Sequence, residues 1–108
     1  MVKEKNIMMM VIKFEGEYLK GLRNGKGKEY NEYDKLIFEG EYLNGERNGK
    51  GKEYNYGKLI FEGEYLNGER WNGKEYNGYG ELIFEGKYLD EKRNRKVKKM
   101  KNYIAQGF

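Results

Sequence analysis

One phrase occupies most of this chain. FEGEYLNGERNGKGKEY begins at Phe38, returns at Phe61 as FEGEYLNGERWNGKEY, and stands earlier, from Phe14, as FEGEYLKGLRNGKGKEY. A shortened copy opens at Phe84, so the unit starts lie 24, 23 and 23 residues apart. Repeats of about 20 to 50 residues mark stacked supersecondary units, none able to bury its own face alone. The organisation that follows is a lead-in strand over residues 1–13, an array over 14–91 and a basic tail over 92–108. The array divides into units at 14–37, 38–60 and 61–83 and a partial unit at 84–91.

Each unit reads as a β-hairpin. In LIFEGEYL, Leu36, Phe38, Gly40 and Tyr42 alternate with Ile37, Glu39, Glu41 and Leu43, the two-residue period of a strand. NGERNG (Asn44 to Gly49) supplies two Asn-Gly pairs, the strongest short turn signal. Which pair makes the tight turn stays open at this level, and a one-residue slip would exchange the faces. KGKEYNY (Lys50 to Tyr56) returns as the second strand, with Gly57-Lys58 turning into the next unit. No window shows helical spacing with caps. The expected fold class is all-β: a single-layer antiparallel meander of tandem hairpins, a twisted ribbon about seven strands wide.

In such a meander, equivalent positions lie two strands apart, roughly 9–10 Å. Phe14, Phe38, Phe61 and Phe84 then form one column, and Tyr18, Tyr42, Tyr65 and Tyr88 another. The intervening glycines leave room for rings to lie over the backbone. Glu15/Glu17, Glu39/Glu41 and Glu62/Glu64 point the other way, within reach of Lys28, Lys52 and Lys74. One face is expected to be aromatic and the other charged.

The string F-E-G-E-Y-L-N-G-E-R-N-G-K-G at Phe38 to Gly51 resembles a MORN (membrane occupation and recognition nexus) repeat, Y-x-G-x-W/Y-x-x-G-x-x-x-G-x-G. The resemblance spans residues 14–89 and is best over 38–60; Phe replaces the first Tyr, and Asn48 stands where many units have His. It implies a scaffold or adaptor that binds proteins in an aromatic groove, self-associates or attaches to phospholipid membranes.

Composition excludes much else. The chain lacks Cys, His, Pro, Ser and Thr, which removes the ordinary nucleophiles and the commonest general base. Carboxylate pairs such as Glu39/Glu41 have a spacing that acid–base chemistry can use, but they recur in every unit, as a solvated face does and a catalytic pair need not. GKGK lacks the frame of a phosphate-binding loop, and no loop gathers the acids that Ca²⁺ requires. A non-catalytic protein without cofactor or metal is expected. The apolar run IMMMVI (Ile7 to Ile12) is far below the roughly 20 residues of a membrane-spanning helix. With no secretion signal recognised, the expectation is a cytoplasmic location, at a membrane or cytoskeletal surface.

What remains is binding. The expected partner groove is Phe38, Tyr42, Phe61, Tyr65 and Trp71, taking an extended or helical peptide or a second copy of the chain. Trp71 stands where the register slips in RWNGKEY; it either fills the space of a lost glycine step or anchors a partner. The alternative is attachment to an anionic membrane through Lys92, Arg93, Arg95, Lys96, Lys98, Lys99 and Lys101, with no acidic residue after Glu91. Without these seven the chain is net acidic, which disfavours nucleic acid.

Overall fold

The computed structural model describes residues 13–88 together with the backbone of residues 89, 92 and 93. The expected lead-in strand lies outside the described residues save for residue 13, and so do the side chains of the basic tail. The described residues form strands β1 (Lys13–Leu19), β2 (Leu22–Tyr30), β3 (Leu36–Leu43), β4 (Glu46–Asn55), β5 (Lys58–Leu66), β6 (Glu69–Tyr76), β7 (Leu82–Leu89) and β8 (Lys92–Arg93). They pair in chain order, every neighbour antiparallel, as an open meander of hairpins. The chain is all-β as its alternation implies, and no described residue is helical.

The turns follow from residues that tolerate positive φ. Asn44-Gly45 (φ 51° and 90°) and Asn67-Gly68 (52° and 89°) close two of the hairpins, the geometry that best matches strand twist. The second Asn-Gly pair is not a turn. Glu46 to Gly49 already belong to β4, where Gly49, at φ 103°, lies in a bulge opposite Glu41. The link to the next unit is Tyr56-Gly57, one residue earlier than the Gly57-Lys58 turn expected from sequence.

The bulge reorganises the two expected aromatic columns. Gly40 pairs Gly51 while Tyr42 pairs Arg47, so Glu41 of β3 alone opposes Asn48, Gly49 and Lys50 of β4. In the third unit Gly63 pairs Gly73 and Tyr65 pairs Arg70, so the lost glycine step shortens the bulge by one residue. The compensating residue enters the loop at 77–81, which is longer than the Tyr56-Gly57 turn. The units also key into one another. The Gly45 amide donates to the Arg23 carbonyl at 2.9 Å and the Gly68 amide to the Arg47 carbonyl at 2.9 Å, fastening each turn onto the bulge before it.

Candidate functional site

A row of glycines crosses the sheet and defines both of its faces: Gly16 pairs Gly27, then Gly40, Gly51, Gly63, Gly73 and Gly86 follow, one per strand. On one face the phenylalanine rings fold over that row. An added Cβ at Gly51 would come 2.7 Å from the Phe38 ring and 2.9 Å from that of Tyr65. Phe38 packs edge to face against its own Tyr42 (centroids 5.7 Å) and the next unit's Tyr65 (5.1 Å). Phe14 with Tyr42 and Phe61 with Tyr88 repeat the contact, so the rings form one zipper running from unit to unit.

Charged groups close this stripe from above. The guanidinium of Arg47 lies 4.0 Å over the Phe38 ring and that of Arg70 4.5 Å over Phe61. Arg47 donates two hydrogen bonds to Glu29 of the preceding unit, at 3.1 and 2.7 Å, and the Tyr42 hydroxyl donates to the same carboxylate. Arg70, Tyr65 and Glu53 repeat the arrangement one unit on, and Tyr88 donates to Glu75. Burial alone would raise the pKa of Glu29; the Arg47 and Tyr42 hydrogen bonds and the Arg charges outweigh it and hold the carboxyl below its ordinary range. Glu53 is lowered in the same way against its burial, chiefly by Arg70. Burial and the adjacent carboxylates push the Tyr42, Tyr65 and Tyr88 hydroxyls upward.

The expected open groove is therefore corrected. Phe38 and Phe61 are 0% exposed, Tyr42 and Tyr65 are buried with them, and their ring faces are taken by glycine backbone, neighbouring rings and arginine. Trp71 stands apart in the shortened bulge of β6, 38% exposed, with the Lys87 ammonium 5.4 Å from its ring. Sequence reading assigned Glu15/Glu17, Glu39/Glu41 and Glu62/Glu64 to the other face and left Glu29 and Glu53 unplaced. These two share the aromatic face, as their spacing two residues after Gly27 and Gly51 signals.

On the opposite face the same glycine row is the floor of an open trough of ≈ 970 Å³. Its walls are charged in stripes. Lys26 and Lys28 flank Gly27, Glu39 and Glu41 flank Gly40, Lys50 and Lys52 flank Gly51, and Glu62 and Glu64 flank Gly63. Each strand contributes one sign and its neighbour the other, and the pairing sets Glu39 opposite both Lys28 and Lys52. Among the described residues, the ion pairs lie on the aromatic face or at the loop edge, and the trough lysines enter none of them. Of the trough acids, Glu39, Glu41 and Glu64 accept hydrogen bonds from the Tyr54 hydroxyl (3.5 Å), the Lys50 amide (2.9 Å) and the Asn72 side chain (3.5 Å). No group of three or more acidic side chains among the described residues is placed to hold a metal.

A ribbon of stacked hairpins, sealed on one face and troughed on the other, defines a tandem-repeat solenoid. The MORN repeat family model matches residues 14–31 and 38–58, and these two units are MORN repeats. Comparison with curated proteins gives no match. MORN repeats are modules of protein or membrane-lipid interaction, and the family is generally non-catalytic. No described helix is long and apolar enough to cross a membrane.

Proposed function

We propose that the protein is a non-catalytic adaptor that docks a helical segment of a partner protein in the striped trough. The observation that carries this reading is the alternation of charge, strand by strand, over a glycine floor. Strands lie about 4.8 Å apart and a helix advances 5.4 Å per turn, so a helix lying across the strands sets one turn against each stripe. An extended segment, at about 6.7 Å per residue pair, falls out of step within three strands. The floor is bare backbone on this side, since a side chain at these positions would project to the aromatic face, so a helix can approach it. Trp71, beside the Asn72–Lys87 end of the trough, can cover its terminus.

The test uses a designed peptide helix whose exposed charges alternate in sign at each turn. It should bind the protein, with affinity falling as salt rises. The Lys50→Glu/Lys52→Glu variant reverses one stripe; it should lose binding and regain it with a peptide reversed at the matching turn. A peptide that binds both forms alike, or neither, overturns the reading.

A second mode rests on the tail, where seven basic residues occur with no acidic one between 92 and 108. We propose that it attaches the protein weakly to anionic membranes while the trough holds the partner.

A further inference from the structure

The edge of the sheet opposite the Asn-Gly turns presents one tyrosine at each of its three described tips. Tyr33 is 71% exposed in the β2–β3 loop, Tyr56 92% in the β4–β5 turn and Tyr79 89% in the β6–β7 loop. None of the three is needed to build its tip. In the β2–β3 loop the Asn31 side-chain oxygen accepts from the amides of Tyr33 (2.8 Å) and Lys35 (3.1 Å). In the β6–β7 loop Asn77 accepts in the same way from Tyr79 (2.8 Å) and Glu81 (3.0 Å). The asparagine shapes both loops, and the tyrosine stands at the same place in each. Tyr56 occupies a wholly different, two-residue turn at φ 52°, a left-handed conformation that the other such turns fill with Lys20, Asn44 and Asn67. A bulky aromatic is disfavoured there, and its ring touches almost nothing that would compensate. Two loop architectures thus deliver the same side chain to the same edge.

The charges along this edge balance in sign and are largely engaged, and Glu32 is hydrogen-bonded to the Tyr33 hydroxyl. Lys13 pairs with Asp34 at 3.2 Å, Lys58 donates to the Gly78 carbonyl at 3.4 Å, and Asn77 donates to Glu81 at 2.8 Å. The edge has no surplus of either sign to recruit a polyanion or a polycation, which leaves the rings as its recognition feature. Successive tips are two strands apart, about 9.4–9.8 Å. A polyproline II helix repeats every three residues, at 3.1 Å each, or about 9.3 Å per turn. Prolines placed every third residue along one face would meet the three tyrosines in register, and such segments dock on aromatic ridges with little ordering cost. These 108 residues contain no proline, so neither they nor their copies in a second chain supply the ligand.

We propose that Tyr33, Tyr56 and Tyr79 form a docking ridge for an uncharged, proline-rich segment of a partner protein in the polyproline II conformation. This ridge is separate from the trough and does not depend on it.

A synthetic peptide of repeated Pro-Ala-Gln tests the proposal, against a control of the same composition with its prolines gathered at one end. Titrated into the full chain, the periodic peptide should shift the amide resonances of residues 32–35, 55–58 and 77–81 and bind more tightly than the control. Tyr33→Ala, Tyr56→Asn and Tyr79→Ala should each weaken it about three- to tenfold, and the triple variant should not bind. Tyr56→Asn should meanwhile raise the melting temperature, a separation that a merely structural tyrosine would not show. Equal binding of the control, or retained binding by the triple variant, overturns the proposal. So does a ridge-dependent self-association or a ridge-dependent attachment to phosphatidylcholine vesicles without peptide binding, which would assign the edge to a second copy or to a lipid interface.

Discussion

A Cβ on Gly40 would stand 2.5 Å from the Lys50 carbonyl oxygen and 2.6 Å from the Gly51 Cα, both backbone atoms that cannot step aside. Gly40→Ala should therefore cost about 1–3 kcal/mol in thermal or denaturant unfolding. Gly78 meets nothing within 4 Å, and Gly78→Ala should change stability by less than ~0.5 kcal/mol. Equal effects would remove the close-approach explanation. The Tyr42 and Tyr65 hydroxyls give a pH signature. Their raised folded-state pKa values mean that the unfolded chain releases these protons first, near the ordinary tyrosine value of about 10. The stability they contribute is whole below that pH and is lost as pH rises beyond it. Glu29 and Glu53, lowered in the folded state, act at the other end: their contribution is present above the ordinary carboxylate range and is lost on acidification through it. Melting temperatures should fall on both sides, and Tyr42→Phe/Tyr65→Phe should flatten the alkaline limb and also weaken the acid one, because each hydroxyl donates to the carboxylate that titrates there. An unchanged alkaline limb would contradict the assignment.

At the scale of the hairpin, the bulge separates what could be read from what could not. The period of LIFEGEYL and the Asn-Gly pairs were enough for strands joined as hairpins, because those signals are local. The bulge was hidden because Asn44-Gly45 and Asn48-Gly49 have equal turn chemistry, and only the pairing of Tyr42 with Arg47 tells them apart. The closure of the aromatic stripe was hidden for a different reason. Glu29 sits 18 residues before Arg47, its main partner, and a carboxylate on an aromatic face contradicts simple patterning until that partner arrives from the next unit. Its parity with Gly27 was visible; the energetic reason for it was not. The trough was half legible, since the Glu–Lys ladder was expected but its concavity was not. Trp71 carries the prediction at this scale. Being 38% exposed, it should be quenched readily by acrylamide in the free protein and shielded, with a blue shift, when a helix fills the trough. A quencher-protected Trp71 in the free protein would make it a packing residue.

For the whole molecule, stability should grow with the number of units, since strands pair only with their sequence neighbours. Inserting a second copy of residues 38–60 after position 60 adds another Phe–Arg–Glu–Tyr cluster and should raise the melting temperature without altering the β spectrum. A fall would show that the units do not stack independently. The tail belongs to this scale as well. Each basic residue near an anionic bilayer contributes about 1 kcal/mol, so half of the seven acting together give about 3–4 kcal/mol, a millimolar attachment. Flotation with phosphatidylserine vesicles should show binding at low salt that fades toward physiological salt and vanishes on deletion of residues 92–108. Indifference to such vesicles at low salt would leave the lysines as protection for a sheet edge.

The fastening of the Gly45 and Gly68 amides onto the carbonyls of Arg23 and Arg47 gives the array a direction. A unit so fastened presents a plug, its turn amide, to the unit before it and a socket, its arginine carbonyl, to the unit after it, and the two are different objects made of different backbone groups. Units so made can be copied in tandem and still fit, because each duplicate brings the socket that its successor requires. They cannot be inverted, and two arrays meeting head to head would offer one another plug against plug. A gene that stutters in such a module lengthens a working ruler, which accounts for a chain that repeats one phrase almost word for word.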